Sequence, residues 1–206
     1  MGAIVDRIYL SIDMDYWHFR PLPIDFLDEL FKLSVPIRVV LEHQELLDYL
    51  PDFDILINMD THSDIAENKD DLPELCSGTW INYVTFPNKK ELIWIYSHRD
   101  CIAGRCNNDG SAGFCNESRD DNPFDPDCER ICGWKKTGYR QRKPTKKELD
   151  QVIGVGIALS PWWICNQDVN IFIKQFVSWV KKNKTKVSIS EEMKDYIRKG
   201  KFDGEE

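Results

Sequence analysis

Histidine, basic residues and long apolar runs are all in short supply in this chain. Only 4 of the 206 residues are histidine, too few for a site built largely from imidazoles. Acidic residues outnumber basic ones, 35 to 27, and the net charge of −8 argues against a nucleic-acid partner, which usually requires a basic stripe. No apolar run could cross a bilayer, and Asp6 interrupts the segment that a signal peptide would need to keep apolar. We therefore expect a cytoplasmic protein with no membrane partner.

The composition is otherwise that of a globular protein. Hydrophobic residues make up 42% of the chain and aromatic residues 12%, enough for one compact domain over residues 1–206. Apolar segments of strand length alternate with segments of helical spacing, which is typical of an α/β fold. We expect strands over 3–12, 37–41, 53–59, 91–96 and 152–160, and helices over 24–33, 45–49, 168–182 and 190–199.

Ligand-type side chains follow three of the predicted strands. The set comprises four carboxylates and two imidazoles: Asp13, Asp15, His43, Asp60, His62 and Asp64. Alternate residues of an extended chain point the same way, so the two acids after the first strand converge, as do the three ligands after the third. Ligands bind at the carboxyl edge of open α/β sheets, so we expect all six groups to meet there.

This ligand set predicts a dinuclear metal centre. Six ligands, four of them anionic, suit two ions about 3.5–4 Å apart that share bridging carboxylates. Oxygen-rich ligation with some imidazole and no thiolate favours Mn²⁺, with Fe²⁺, Co²⁺ or Zn²⁺ as alternatives. One such stretch alone is more often a turn or a helix cap, but three at strand ends favour a metal site.

The same residues resemble a known superfamily. Residues 60–64 resemble the Asp-x-His-x-Asp motif of the arginase and agmatinase superfamily, and residues 11–15 resemble its Ser-x-Asp-x-Asp motif. The order of the two motifs is reversed, and His18 stands where an aspartate is usual. These departures fit the peptide arginases of ribosomal-peptide maturation, whose pattern is similar to residues 12–17, 41–43, 60–64, 78–82 and 158–161.

The resemblance implies a fold, a reaction and residue roles. The fold would be a three-layer sandwich around a mainly parallel sheet, arginase/deacetylase-like. One ion would be held by His43, Asp60, Asp64 and Asp13, and the other by Asp60, His62, Asp13 and Asp15. The enzyme would hydrolyse arginine residues of a peptide to ornithine and urea, with Asp64 taking a proton.

Other residues near the predicted site receive weaker assignments. Glu42 is a candidate for orienting a ligand or binding a cationic substrate, and His18 for shuttling protons or merely lying in solvent. Trp17 is a candidate substrate contact, although tryptophan at such a position is more often core. Trp80 and Asn82 are candidate pocket residues on the resemblance alone.

A cysteine-rich segment over about 98–140 interrupts the α/β pattern and is expected to be an insertion. It has few aliphatic residues, so cross-links or a metal would have to order it. A structural zinc held by Cys101, Cys106, Cys128 and Cys132 is one reading; free thiols or disulfides are the others. Cys76 and Cys165 are expected to be buried as small hydrophobes.

Several alternative functions remain open on the sequence. The nearest is an arginase, agmatinase or amidohydrolase that acts on a free small molecule. A non-catalytic, metal-dependent peptide-binding module is a second, and an oligomer is possible. A calcineurin-type phosphoesterase also uses an Asp-x-His strand end, but it needs more histidines than this chain has.

Overall fold

The computed structural model describes residues 5–17, 24–62, 64, 75–85, 90–96, 135–140, 142–162, 166–182 and 187–199. Its described strands form one seven-stranded sheet in the order β5-β4-β3-β1-β6-β2-β7, and every neighbouring pair is parallel. The strands are β1 (Ile8–Asp13), β2 (Ile37–Val40), β3 (Ile55–Met59), β4 (Glu91–Tyr96), β5 (Lys135–Arg140), β6 (Val152–Ala158) and β7 (Val187–Ile189). The fold is therefore an α/β fold with a parallel sheet.

Helices connect the strands. The α-helices are α1 (Ile24–Lys32), α2 (Lys146–Leu149), α3 (Asn166–Lys182) and α4 (Glu191–Lys199), and short 3₁₀ helices cover Met14–Trp17, His43–Tyr49 and Trp80–Tyr83. Helix α2 begins with a capping box, in which Thr145 accepts from the backbone of Glu148 while the Glu148 carboxylate accepts from the backbone of Thr145.

Both faces of the sheet are covered, as expected for parallel strands. All six residues of β1 are buried, and their side chains alternate between two apolar clusters. On one face, Ile8, Leu10 and Ile12 pack in the same cluster as residues of α1, α3 and α4. On the other face, Tyr9 belongs to a cluster with residues of the two 3₁₀ helices at 43–49 and 80–83.

Gly156 lets the 3₁₀ helix at 43–49 approach the sheet. A Cβ atom at this position would lie 2.7 Å from Leu46 Cδ1 and 2.7 Å from the Tyr9 hydroxyl, closer than real Cβ atoms come. A Cβ at Gly154 would also be tight, at 3.1 Å from the Tyr9 ring. The absence of side chains at these two glycines thus lets the 3₁₀ helix that begins with His43 pack closely against β6.

The predicted strands and helices are confirmed within two residues at their ends, except that the strand predicted over 3–12 begins at Ile8, with residues 3–4 outside the described residues, and the helix predicted over 45–49 is a 3₁₀ helix. Two strands, β5 and β7, were not predicted. Strand β5 lies inside the segment assigned to the insertion and forms one edge of the sheet; residues 98–134 of that segment lie outside the described residues. The sequence of β5 contains charged residues and a glycine, so it does not predict a strand. These residues form a regular strand because they pair with β4.

One burial prediction was wrong. Cys76 is exposed, because it lies in a surface turn where its backbone N–H binds the Thr79 hydroxyl. On the apolar face of α3, Phe172, Ile173 and Phe176 are buried, whereas Val177 is exposed. Within the described residues, no helix combines the length and apolar character that crossing a membrane requires.

Candidate metal centre

The six predicted ligands come together at the carboxyl edge of the sheet. Strands β3, β1, β6 and β2 are consecutive in the sheet, so the loops after them are neighbours in space. Asp13, Asp15, His43, Asp60 and Asp64 are buried there, whereas the His62 side chain is 47% exposed. The cluster is thus sealed by protein on most sides and reaches solvent beside His62.

His43 lies among three carboxylates. Its Nδ1 atom is 2.8 Å from Asp64 Oδ2, 3.2 Å from Asp60 Oδ2 and 3.4 Å from Asp13 Oδ2. The other ring nitrogen, Nε2, is 2.8 Å from the buried Ser11 hydroxyl. A metal-binding histidine usually has its second nitrogen held by a neighbour in this way, which fixes the orientation of the ring.

Asp60 connects this group to a second one. The His62 Nδ1 atom lies 3.1 Å from Asp15 Oδ2 and 3.7 Å from Asp60 Oδ1. Two sets of ligand atoms are close enough to hold an ion each, Asp13 with His43 and Asp60, and Asp15 with Asp60 and His62. Asp60 belongs to both sets, as a bridging ligand must. Asp13, the other predicted bridge, belongs to the first set only.

Backbone groups and a serine orient the paired aspartates of β1. Asp13 Oδ1 accepts a hydrogen bond from the backbone of Asp15 at 2.9 Å, and Asp13 Oδ2 accepts one from the buried Ser160 hydroxyl at 2.6 Å. Asp15 Oδ1 accepts from the backbone of Thr61 at 3.3 Å. The loop after β3 is therefore attached to the end of β1.

Trp80 has a similar role for Asp64. Its indole N–H donates to Asp64 Oδ2 at 2.6 Å, and its ring lies 5.0 Å from the His43 ring, centroid to centroid. Trp80 is fully buried, so it contacts Asp64 and His43 from the protein interior. The Ile81 backbone N–H also binds the Asp64 carbonyl at 3.3 Å.

Backbone strain coincides with the cluster. Among the described residues, only Asp64 (φ 55°) and Ser160 (φ 45°) are non-glycine residues with positive φ. This conformation costs of order 1–3 kcal/mol per residue and tends to occur where a site requires it. One of these residues is a predicted ligand, and the other donates a hydrogen bond to a predicted ligand.

The electrostatics of the cluster favour added positive charge. Burial, reinforced by the neighbouring Asp60, raises the pKa of Asp64 to about 8. Burial and the charges of Asp15 and Asp60 also raise the pKa of Asp13. Burial works against charged His43, but the surrounding carboxylates outweigh it and raise the pKa of this imidazole. Without a cation, protons must offset the carboxylate charge.

Two buried atoms meet the expectation for metal ligands. His43 Nδ1 and Asp60 Oδ2 are within ion-pair distance of each other, yet in the described part of the chain neither has a hydrogen-bond partner of good geometry. Buried polar atoms rarely lack a hydrogen-bond partner. The chemistry of the donors, carboxylate oxygen and imidazole nitrogen, fits a divalent cation at this position.

The remaining predicted residues are placed as follows. Glu42 is half-buried at the start of the 3₁₀ helix at 43–49, where its carboxylate accepts hydrogen bonds from Ser77 and Trp162. Asn82 is half-buried in the same 3₁₀ helix as Trp80. Trp17 is only 7% exposed and packs on Tyr16 and Phe26, which favours the core reading. His18, Cys101, Cys106, Cys128, Cys132 and Cys165 lie outside the described residues.

Sequence reasoning missed several residues that support the ligands. Ser11 and Ser160 lie in the quoted motifs, but nothing in the sequence showed that their hydroxyls bind His43 and Asp13. Trp94 was read only as part of a strand, although its indole N–H binds the Asp60 carbonyl at 3.1 Å. A serine or tryptophan does not by itself predict that its side chain binds a residue from another strand.

No family model, curated protein or solved structure matches this chain.

Proposed function

We propose that this protein is a dinuclear metal-dependent hydrolase of guanidinium groups, a peptide arginase that converts arginine residues of a peptide to ornithine and urea. The observation that carries the proposal is the meeting of ligands from three strand ends in two sets that share Asp60. The parallel sheet is compatible with an arginase/deacetylase-like sandwich, which we include in the proposal.

The ligand assignment combines the two sets with Asp64, whose carboxylate lies 2.8 Å from His43 Nδ1. His43, Asp13, Asp60 and Asp64 would hold one cation, and His62, Asp15 and Asp60 would hold the other, with Asp13 as a candidate second bridge. We propose Mn²⁺, with Fe²⁺, Co²⁺ or Zn²⁺ as substitutes, because four of the six donors are carboxylates and none is a thiolate. Bound as a pair, such cations lower the pKa of water enough to supply hydroxide near neutral pH.

The reaction adds water across a C–N bond of the guanidinium. A C–O bond forms at the guanidinium carbon, the bond from that carbon to the side-chain nitrogen breaks, and a proton ends on the departing amine. The products are ornithine and urea. The guanidinium is stabilised by resonance, so the site must supply a strong nucleophile and a group that accepts its proton.

Asp64 is the best placed proton acceptor. Its carboxylate is buried, and Trp80 binds one of its oxygens from behind, so the group has a fixed orientation. Ser160 and Ser11 hold Asp13 and His43 in the same way. These contacts set the ligand positions before a substrate arrives, which is the main contribution a protein makes to such a site.

Metal analysis combined with urea release tests the proposal. The Mn²⁺-loaded protein is incubated with an arginine-containing peptide, free arginine and agmatine, and we expect about two ions per chain and urea from the peptide. Urea from free arginine or agmatine alone would instead indicate a small-molecule ureohydrolase. Bound Mn²⁺ without urea from any of the three would indicate a non-catalytic binding module.

A further inference from the structure

Trp162 combines high exposure with a fixed orientation. At 70% exposed, it is the most exposed large apolar side chain among the described residues. Its indole N–H nevertheless donates a hydrogen bond to Glu42 Oε1 at 2.6 Å. An indole has only this one polar group, so the bond orients the ring while its apolar face remains open to solvent.

The indole and its acceptor follow the strand ends that also carry residues of the candidate metal centre. The end of β6 is joined to the end of β2 by two backbone bonds, from Leu159 N to Val40 O at 3.0 Å and from Ser160 N to Leu41 O at 2.9 Å. Ser160 also binds the ligand Asp13 and lies two residues before Trp162. On the β2 side, Glu42 directly precedes the ligand His43.

The Glu42 carboxylate places a negative charge at the edge of the Trp162 indole. Its second oxygen accepts a hydrogen bond from the Ser77 hydroxyl at 2.5 Å, so the side-chain donors to both carboxylate oxygens are neutral groups. In the described part of the chain, no lysine or arginine forms an ion pair with this carboxylate. A half-buried carboxylate without a cationic partner attracts a cation to the adjacent ring.

We propose that the open face of Trp162, oriented by Glu42, receives the guanidinium of the substrate at the rim of the metal centre. A planar guanidinium stacks on an indole face better than a compact ammonium does, because it is flat and weakly hydrated. The pair therefore recognises the arginine side chain, whereas the ornithine product lacks the planar group. Trp162 is the substrate contact, and Glu42 is a positioning residue. This inference rests on the proposed function.

Steady-state kinetics with an arginine-containing peptide test the indole contact. In Trp162→Ala we expect KM to rise about 2- to 30-fold, the range of a cation–π contact, with kcat and metal content nearly unchanged. Trp162→Phe keeps an aromatic face and should remain closer to the native KM. Tyr139→Ala removes another exposed aromatic, on the edge strand β5, and should leave KM unchanged. An unchanged KM in Trp162→Ala, or equal KM increases in the Ala and Phe variants, would overturn the proposal.

The positioning role of Glu42 has its own readout. Glu42→Ala frees the indole and should raise KM as Trp162→Ala does, whereas Glu42→Gln keeps an acceptor for the indole N–H but loses the charge, and should restore part of the affinity. Equal KM values in the two Glu42 variants would contradict the positioning role.

A binding experiment separates this inference from the proposed reaction. Argininamide is titrated into the Zn²⁺-loaded protein while the Trp162 indole N–H resonance is followed, and citrullinamide serves as the neutral planar control. A shift with argininamide but not with citrullinamide supports the subsite even if no urea is ever released. No shift, or equal shifts with both ligands, would overturn it regardless of turnover.

Discussion

Aspartates have different partners at the two ends of the parallel sheet. At the amino end, Asp54 binds the Arg7 side chain at 3.1 Å and the Arg7 backbone at 2.9 Å, and Asp6 pairs with Lys90. At the carboxyl end, four aspartates are buried with only imidazoles beside them. Within the described residues, none of these four has a lysine or arginine partner.

This difference separates charges that stabilise the fold from charges that serve a ligand. The pairs at the amino end are partly exposed, and each carboxylate in them has a lysine or arginine partner. A buried carboxylate without a cationic partner costs several kcal/mol of stability. A chain selected only for stability would therefore not bury four of them together. Under the proposed function, cations from outside the chain would balance the charge at the carboxyl end, and the following predictions test that contrast.

The largest effect is expected from Asp60→Asn, which preserves volume but removes the charge that both ligand sets share. We expect both ions to be lost and urea release to fall to background. Atomic absorption measures the metal content, and a urea assay measures the turnover. Retention of full metal content and turnover would contradict the bridging role.

Acidification should weaken metal binding strongly. Burial, reinforced by the charge of Asp60, raises the pKa of Asp64 to about 8 in the metal-free protein, so below that pH the carboxyl holds a proton that a cation must displace. Affinity should thus fall as pH decreases below about 8, by about tenfold per pH unit for each displaced proton. Calorimetry in buffers of different ionisation enthalpy counts the released protons; a count of zero at neutral pH would refute the linkage.

Removal of the Ser160 hydroxyl should lower metal affinity about 10- to 100-fold, the usual cost of losing a group that orients a ligand. Ser160→Ala loses the bond to Asp13 but keeps the strained backbone, whereas Ser160→Gly loses the bond and relieves the strain. We expect both variants to bind metal weakly, with the glycine variant the more stable in denaturant unfolding. Native metal affinity in either variant would contradict the role of Ser160.

Trp80→Phe should weaken the site more mildly. The variant keeps an aromatic ring but removes the hydrogen bond to Asp64. Because burial raises the pKa of Asp64 to about 8 in the metal-free protein, this is a bond to a neutral carboxyl at neutral pH, and its loss costs about 0.5–1.5 kcal/mol. We expect a lower free energy of unfolding and a reduced kcat with nearly native KM for substrate. A change in KM alone would instead indicate direct substrate contact by Trp80.

The smallest effect is expected at the opposite end of the sheet. Asp54→Asn makes the same chemical change as Asp60→Asn but removes a partly exposed pair with Arg7. The hydrogen bonds from Arg7 lower the pKa of Asp54, so the stability that this group contributes is present at neutral pH and is lost in acid. We expect slightly lower thermal stability with unchanged metal content; loss of metal would invalidate the contrast between the two ends.

Much of the fold could be predicted because its signals are local. The apolar strands β1, β2, β3, β4 and β6 differ plainly from the helices between them. Strand β5 could not be predicted, since its charged residues become a strand only by pairing with the edge of β4. Strand β7, three residues long, is likewise defined by its pairing with β2.

The sequence by itself determined the ligand chemistry and its edge of the sheet. Acids and histidines at alternate positions after apolar strands point the same way, and parallel strands bring their carboxyl ends to one side. Only the tertiary structure decided which atoms meet. The sheet order sets β3, β1, β6 and β2 side by side, which places Asp60 in both candidate ligand sets and Ser160 against Asp13 across 147 residues of chain. Contacts between strands distant in sequence depend on that order, and no local pattern specifies it.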